Sequence, residues 1–255
     1  MAVLECVDVT KRYGGLIAVK DLSFAVEEGE FFAIVGPNGA GKTTLFDAIS
    51  GHAPPTTGTI RFAGEEIQGA SPHLTCRQGL TRTFQTTTAF DTQTVLTNAL
   101  VAAVFGAESG GSRFHFDDDA RESAMEALAV VGLVDRQAET AETLPILDRK
   151  RLMLATALAT RPRLLLLDEP VGGLNASERQ EFIDLIERVA ATGVTVLMIE
   201  HIMKAVQALA TRMLVLHHGQ KLAEGKPSEV LRDERVVEVY LGGLAARRNG
   251  PREAT

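Results

Sequence analysis

The feature that most constrains the fold is a short apolar run, Phe31–Val35, that leads into a glycine-rich turn and then into a helical pattern. The turn, Gly36–Thr44, reads G-P-N-G-A-G-K-T-T. Glycine lets successive backbone N–H groups curl around an anion, and the following helix adds the positive end of its dipole. A strand, the spacing G-x-x-x-x-G-K-[ST] and a helix in this order predict a phosphate-binding loop. The alternative is a chance glycine turn, which requires neither flanking element.

Two side chains of this loop have separate predicted roles. Lys42 can reach the β- and γ-phosphates of a nucleotide, and the Thr43 hydroxyl can hold Mg²⁺. The predicted nucleotide-binding residues of the loop are Gly36, Pro37, Asn38, Gly39, Ala40, Gly41, Lys42, Thr43 and Thr44.

Bulk properties narrow the possible functions. The chain has 255 residues and a net charge of −7, which argues against a general nucleic-acid-binding protein. Cys6 and Cys76 are far apart and lack C-x-x-C spacing, so we expect reduced thiols rather than a disulfide or a zinc site. No stretch approaches about 18 uninterrupted apolar residues. We therefore expect any membrane role to come through a partner.

Apolar spacing divides the chain into strands and turns at the start, helices in the middle, and alternating strands and helices at the end. The predicted strands are Leu4–Val9, Ala18–Val26, Phe31–Val35, Thr59–Phe62, Leu164–Leu167, Val194–Ile199 and Met213–His217. The predicted helices are Val95–Phe105, Asp118–Val131, Asp148–Ala159, Ala176–Ala191 and Ile202–Leu209. This order predicts an α/β protein with a parallel-centred core and an inserted helical part.

A second apolar run, Leu164–Leu167, ends in two acids, Asp168 and Glu169. Parallel sheets bind ligands at the carboxyl ends of buried strands, so we expect both acids beside the phosphate loop. There Asp168 would orient Mg²⁺, and Glu169 would accept a proton from the water that attacks the γ-phosphate. His201, after the strand Val194–Ile199, is predicted to contact the γ-phosphate. The alternatives are solvated acids at a strand end and a structural histidine.

The order of these motifs resembles an ABC-type ATPase over residues 3–242. The resemblance implies a RecA-like parallel-centred core, an N-terminal antiparallel β subdomain and an inserted helical subdomain. It implies one ABC ATPase domain over residues 1–245, with the helical subdomain at 86–160, the remainder at 1–85 and 161–245, and a flexible tail at 246–255.

The same resemblance assigns roles to further residues. It implies that Tyr13 stacks on adenine, that Gln85 is the Q-loop glutamine beside Mg²⁺, and that Gly173-Leu174-Asn175 is the D-loop. ATP and Mg²⁺ are the implied ligands. The implied catalytic residues are Glu169, His201 and Lys42, and the implied Mg²⁺ residues are Thr43, Gln85 and Asp168.

A narrower resemblance is to the ATP-binding subunits of branched-chain amino acid importers. It rests on four segments, which are Arg82-Thr83-Phe84-Gln85, Gly173-Leu174-Asn175, Ile199-Glu200-His201 and Val236–Gly242. It implies a peripheral subunit at the cytoplasmic face of a membrane, paired with a second ATPase subunit beneath two permeases. An extracytoplasmic solute-binding protein would feed those permeases, and no nucleic acid would be bound. Relatives in this group carry urea, short amides or aromatic acids instead.

One loop departs from the family pattern. The signature loop, usually L-S-G-G-Q, falls at Leu144, Pro145, Ile146, Leu147 and Asp148. Pro145 lacks the serine hydroxyl and an N–H donor, and the two branched residues restrict the backbone where a phosphate should approach. Asp148 could cap its helix, but its charge would oppose a triphosphate. Either the loop works through its backbone alone, or this face of the site is weakened.

The altered loop bears on the assembly, because an ABC site combines the Walker motifs of one subunit with the signature loop of the other. We therefore expect a heterodimer with unequal sites rather than a homodimer. Phe90, an aromatic residue in polar surroundings, is predicted to anchor the permease through the segment Thr86–Leu96. The alternatives are the ATPase of a lipopolysaccharide-type exporter, a soluble non-transport ABC ATPase, and a non-catalytic regulatory subunit, which the intact Glu169 argues against.

Overall fold

The computed structural model describes residues 1–85, 88–106 and 118–239. Its strands are β1 (Ala2–Tyr13), β2 (Leu16–Glu27), β3 (Phe31–Val35), β4 (Thr57–Phe62), β5 (Glu65–Glu66), β6 (Leu80–Arg82), β7 (Leu164–Asp168), β8 (Thr195–Ile199), β9 (Arg212–His217) and β10 (Gln220–Gly225). Its α-helices are α1 (Lys42–Ile49), α2 (Pro72–Arg77), α3 (Val95–Gly106), α4 (Asp118–Val131), α5 (Ile146–Ala159), α6 (Ala176–Ala190), α7 (Met203–Leu209) and α8 (Pro227–Val230). None of the helices in these ranges is both long and apolar enough to cross a membrane.

A six-stranded sheet, in the order β10-β9-β3-β8-β7-β6, forms the centre of the molecule. Strands β9, β3, β8, β7 and β6 are parallel, and β10 pairs antiparallel with β9 at one edge. Ile199 pairs with both Ile34 and Asp168, so the strands β3, β8 and β7 end at the same level. The predicted parallel-centred α/β core is confirmed, and its register brings three predicted site segments to one edge.

The two faces of this sheet lie in different hydrophobic cores. Along β3, Phe31, Ala33 and Val35 pack with the helices α3 to α7, whereas Phe32 and Ile34 pack with α1 and the four-stranded sheet. That second sheet is antiparallel, in the order β2-β1-β4-β5. Continuous apolar runs such as β3 and β7 follow from burial on both faces. The predicted N-terminal antiparallel β region is confirmed.

The predicted helical insertion lies between β6 and β7, where α3, α4 and α5 pack against one another. Helix α5 begins at Ile146, two residues before the predicted start at Asp148. Sequence patterns did not reveal β6, which has only three residues, or β10, a polar edge strand without clear alternation. Thr86, Thr87 and the predicted tail at 246–255 lie outside the described residues. The exact subdomain bounds stay a prediction.

Candidate nucleotide-binding and hydrolysis site

The predicted phosphate loop connects β3 to α1, and two of its glycines are required by close packing. A Cβ on Gly36 would lie 2.1 Å from the carbonyl oxygen of Leu216. A Cβ on Gly41 would lie 2.3 Å from the carbonyl oxygen of Ala18, and Gly41 has a φ of +103°. Only glycine tolerates both the contacts and this backbone conformation. The loop is therefore held against β2 on one side and β9 on the other.

Lys42 begins helix α1 and points its side chain back into the loop. Its Nζ donates hydrogen bonds of 2.8 Å to the Gly36 carbonyl and 3.0 Å to the Pro37 carbonyl. Burial lowers the pKa of Lys42, while the nearby carboxylates of Glu169, Asp168 and Glu200 oppose that shift. The lysine thus lies within electrostatic reach of the acids at the ends of β7 and β8.

The backbone of the loop offers donors as well. Within the described residues, the N–H groups of Lys42, Thr43 and Thr44 donate to no protein acceptor, as is usual for the first turn of a helix. These donors and the helix dipole favour an anion at this end of α1. The Thr43 side chain is exposed at the same turn.

Asp168 ends β7, and its carboxylate is almost fully buried. Its Oδ2 accepts a 2.8 Å hydrogen bond from a terminal nitrogen of Arg82. The other terminal nitrogen of Arg82 donates 2.6 Å to Asp47 Oδ1 and 3.1 Å to Ser50 Oγ, both near the end of α1. Burial raises the pKa of Asp168, and Arg82 acts in the opposite direction. Sequence reasoning quoted Arg82 only as part of a family motif and did not anticipate this ion pair.

Glu169 follows β7 in a left-handed backbone conformation, with φ of +47°. This conformation is uncommon for a residue with a side chain and often marks functional sites. Glu169 Oε2 accepts a 2.8 Å hydrogen bond from Gln85 Nε2, and its Oε1 lies 3.5 Å from His201 Nδ1. The structure thus brings together Glu169 and His201, which were predicted to be catalytic, with Gln85, which was assigned to Mg²⁺.

These three residues line one open cavity of about 580 Å³. Its lining comprises Gln85, Ile146, Lys150, Glu169, Gly172, Gly173, Arg179, His201 and Ile202. The start of α5 therefore lies near the proposed base in the same chain.

The sequence analysis assigned no role to two charged residues here, Lys150, which lines this cavity, and Glu200, which directly precedes the lining residue His201. Lys150 on α5 is only 3% exposed. Burial lowers the pKa of Lys150, and the negative charges of Glu200 and Glu169 act in the opposite direction. Glu200 is fully buried, and its Oε1 accepts the N–H groups of His201 at 3.0 Å and Ile202 at 3.1 Å. Burial raises the pKa of Glu200. An acid directly after a buried strand was the available signal, because Glu200 repeats the pattern of Asp168.

The signature-position loop is exposed at Pro145 and Ile146 but not along its whole length. Leu144 is buried, Pro145 occupies the N-cap of α5, and Ile146 is 45% exposed. Asp148 makes no cap hydrogen bond, so the suggestion that it caps the helix is wrong. Its carboxylate instead pairs with Arg136 and, at 2.9 Å, with Arg151. These two arginines offset the charge that was expected to oppose a triphosphate.

Of the other predicted positions, Tyr13 and Asn175 are exposed, whereas Leu174 of the predicted D-loop is buried. Tyr13 ends β1 with 48% of its surface exposed, and Lys11 Nζ lies 5.0 Å from its ring centre. Asn175, in the predicted D-loop, caps α6 through a reciprocal pair of hydrogen bonds with Glu178. The role of Tyr13 in adenine stacking stays a prediction.

The residues assigned to Mg²⁺ suit that ion chemically. Thr43 offers a hydroxyl, Asp168 a carboxylate and Gln85 an amide oxygen, all of them hard oxygen donors of the kind that Mg²⁺ prefers. Mg²⁺ usually takes one or two carboxylates together with water and phosphate oxygens. The set, with one buried carboxylate and two neutral oxygen donors, agrees with this preference.

A second, mostly apolar groove of about 500 Å³ has Arg82 in its wall. Phe84, Phe90, Phe105 and Met153 contribute its larger apolar side chains. Phe90 is 58% exposed, as predicted, but its surroundings in this groove are mostly apolar and not polar. Its backbone is fixed from α3, because Phe90 N–H donates 2.8 Å to Asn98 Oδ1.

Comparison with known proteins finds two family models that match the chain. The model described as ABC transporter matches residues 19–172. The model described as branched-chain amino acid ATP-binding cassette transporter matches residues 220–246.

Named relatives are similar over nearly the whole chain. The high-affinity branched-chain amino acid transport ATP-binding protein BraF of Pseudomonas aeruginosa is 38% identical, covering 94% of this chain and 98% of its own length. The corresponding protein LivG of Escherichia coli is 35% identical, covering 91% and 94%. A probable LivG of Archaeoglobus fulgidus is 32% identical, covering 95% and 96%.

Solved structures agree with the fold. An ATP-binding cassette of an ABC transporter, solved in its ADP conformation, superposes with a TM-score of 0.85 at 28% identity. The match covers 95% of this chain and 99% of that one. A dimeric bacterial ABC transporter cassette matches with a TM-score of 0.75 at 26% identity, covering 88% and 98%.

Proposed function

The chain belongs to the family of ABC transporter ATP-binding subunits, and on that premise we propose that it energises an importer of branched-chain amino acids or related small solutes. The observation that carries the proposal is the contact of Gln85 and His201 with Glu169, near Lys42 and Asp168 at one edge of the sheet. The C-terminal family match at residues 220–246 supports the importer class. Nothing favours the exporter or the soluble non-transport ATPase.

The loop and its lysine bind the phosphates in this proposal. The free N–H groups at the start of α1 and the Lys42 ammonium supply donors and positive charge to the triphosphate. Lys42 Nζ donates to two loop carbonyls, so its ammonium already lies inside the loop. A bound nucleotide would accept hydrogen bonds from this ammonium in place of those carbonyls. Tyr13 offers an exposed ring for the adenine base.

Glu169 is the proposed general base. Its carboxylate is held by Gln85 Nε2 and faces His201, so an attacking water would find an acceptor of fixed orientation. Glu200 holds the backbone of His201 in place, because Glu200 Oε1 accepts the backbone N–H of His201 at 3.0 Å. His201 is proposed to contact the γ-phosphate once it is bound.

Thr43, Asp168 and Gln85 are the residues that would hold Mg²⁺. When bound, the ion would neutralise charge on the β- and γ-phosphate oxygens. The chain's own contribution is the buried carboxylate of Asp168 at the end of β7. Desolvation raises the pKa of this carboxylate, and Arg82 lowers it.

The assembly in this proposal has two ATPase subunits beneath two membrane permeases, with this chain peripheral at the cytoplasmic face. A solute-binding protein outside the membrane would deliver the solute. The groove around Phe84 and Phe90 is the proposed permease contact. A heterodimer is favoured, since Pro145 and Ile146 replace the serine and glycine that approach the partner's nucleotide.

Reconstitution tests the proposal. The chain, its partner ATPase and the two neighbouring permeases are placed in proteoliposomes with the solute-binding protein, and uptake of leucine, valine, urea and a short amide is measured. ATP-dependent uptake of at least one of these solutes is expected, and it should be strongly reduced in Glu169→Gln. Efflux without uptake, or uptake that needs no ATP, would overturn the importer assignment.

A further inference from the structure

Arg82 lies between two features that the proposed function treats separately, the Mg²⁺ residues and the permease groove. Its side chain is only 5% exposed. One terminal nitrogen donates 2.8 Å to Asp168 Oδ2, and the other donates 2.6 Å to Asp47 Oδ1. The guanidinium therefore ties the end of β7 to helix α1, which begins at the phosphate loop.

On its other side, Arg82 belongs to the wall of the apolar groove. Its guanidinium carbon lies 5.3 Å from the ring centre of Phe84 and 5.5 Å from that of Phe46. Both distances are within the range of cation–π contacts. Phe84 is partly exposed and lines the groove together with Phe90. One side chain thus touches both a groove aromatic and the carboxylate assigned to Mg²⁺.

The geometry of a guanidinium suits such a role. Its planar fork holds two acceptors in fixed directions, whereas a lysine ammonium is a point charge on a flexible stem. A carboxylate that is buried and paired in this way has little freedom to rotate. Residues that orient a metal ligand commonly change metal affinity by about 10–100-fold when they are replaced.

We propose that Arg82 is a positioning residue that fixes Asp168 for Mg²⁺ and links the occupancy of that site to Phe84 in the permease groove. The inference rests on the proposed function, because it concerns the same nucleotide site. An ion bound at Asp168 draws on the carboxylate that Arg82 holds, so the pull of Asp168 on the guanidinium weakens and the contact of Arg82 with Phe84 changes. In the reverse direction, a partner that presses on Phe84 alters the position of Asp168.

The first test compares Arg82→Lys with Arg212→Lys. Arg212 is a matched control, since it also forms a partly buried ion pair, with Glu30 at 2.8 Å, and also lies over a phenylalanine ring, that of Phe32 at 4.8 Å. ADP binding is measured by calorimetry in EDTA, and Mg²⁺ is then titrated into the ADP complex. Nucleotide binding in EDTA should be unchanged in both variants. Mg²⁺ affinity should fall about 10-fold in Arg82→Lys and stay at the wild-type value in Arg212→Lys.

A neutral variant separates positioning from the electric field. Removing a positive charge beside a cation site would, by the field alone, tighten Mg²⁺ binding. Arg82→Gln should instead weaken it if position decides. Tighter Mg²⁺ binding in Arg82→Gln, or unchanged affinity in Arg82→Lys, would overturn the proposal. If the wild-type protein does not bind ADP at all, the proposed function is overturned instead.

The second test reads the groove directly and does not depend on the folding of an Arg82 variant. The chain contains no tryptophan, so Phe84→Trp introduces a single fluorescent probe. Phe105→Trp is the matched control, because Phe105 lines the same groove without being stacked on Arg82. Addition of Mg²⁺ to the ADP complex should change the emission of Phe84→Trp and leave that of Phe105→Trp nearly constant. An unchanged signal from Phe84→Trp would refute the link to the groove.

Discussion

Gln85 Nε2 donates a 2.8 Å hydrogen bond to Glu169 Oε2, although the two residues lie on opposite sides of the helical insertion in sequence. Gln85 follows β6 and Glu169 follows β7, and these strands are parallel neighbours. The bond therefore joins the segment that leads to the groove aromatics with the proposed base. A displacement of Gln85 would therefore change the hydrogen bonding of Glu169.

Lys42→Ala should remove most ATP binding. The triphosphate would lose its side-chain cation in the loop, and a hydrogen bond to a charged group contributes about 1.5–3 kcal/mol, which corresponds to roughly 10–150-fold in affinity. Calorimetry with ATP measures the change, and Lys204→Ala, at an exposed position of α7, is the control. Equal ATP affinity in wild type and Lys42→Ala would contradict the assignment of the loop.

Glu169→Gln should keep ATP binding and slow hydrolysis at this chain's own site by roughly 10²–10⁴-fold, the usual range for a general base. The amide keeps the shape of the side chain and loses the proton acceptor. The measurement is ATP turnover by the assembled transporter with the partner subunit's own catalytic glutamate replaced as well, so that only this chain's site is compared. Turnover near the wild-type rate would move the role of base to another group, with His201 the next candidate.

Phe90→Ala should reduce transport more than it reduces the ATPase rate of the isolated subunit. The exposed ring has no role in the core, and anchors of this kind often contribute about 2 kcal/mol or more to an interface. Val130→Ala, a truncation at an exposed position of α4, is the control. If both rates fall together in Phe90→Ala, the residue acts in folding and the coupling role is wrong.

Restoring the signature loop should raise hydrolysis at the site that holds the partner's ATP. The change is Pro145→Ser with Ile146→Gly and Leu147→Gly, and it leaves Asp148 in place because its carboxylate pairs with Arg136 and Arg151. Glycine permits the close approach of backbone to phosphate that branched side chains hinder.

The assay for this change uses the complex with Glu169→Gln in this chain, so that only the partner's ATP is hydrolysed. Ile146→Ala with Leu147→Ala is the control, since it removes bulk without adding backbone freedom. An unchanged residual ATPase rate after restoration would mean that the loop already works through its backbone. The altered loop would then not make the two sites unequal.

Glu200→Gln should change how stability depends on pH. Burial holds the pKa of Glu200 above its ordinary value of 4.5, so the folded protein binds the proton more tightly than the unfolded chain does. Stability contributed by the wild-type carboxyl therefore falls as the pH rises through 4.5 and on to the raised pKa. Urea unfolding at about pH 4.5 and 7 should show the wild type losing stability relative to Glu200→Gln. A relative gain over this range would contradict the burial argument.

The phosphate loop, β3, β7 and the acids that end β7 were predictable because their signals are local. An apolar run buried on both faces and a glycine spacing can be recognised without knowing what packs nearby. Arg82 and Lys150 could not be assigned in this way. Their environments come from segments far away in sequence, since Arg82 meets Asp168 only through the pairing of β6 with β7. Asp148 was misjudged for the same reason, because Arg136 lies in a separate short helix.

The packing of the phosphate loop has a mechanical consequence. Gly36 is pressed against the backbone of β9, and Gly41 against the backbone of β2, strands that belong to different sheets. Because the loop contacts one strand of each sheet, it cannot widen unless the two sheets move apart. The width of the loop is therefore set by the contact between the two sheets, so a substitution at that contact would alter the loop without touching a bound nucleotide.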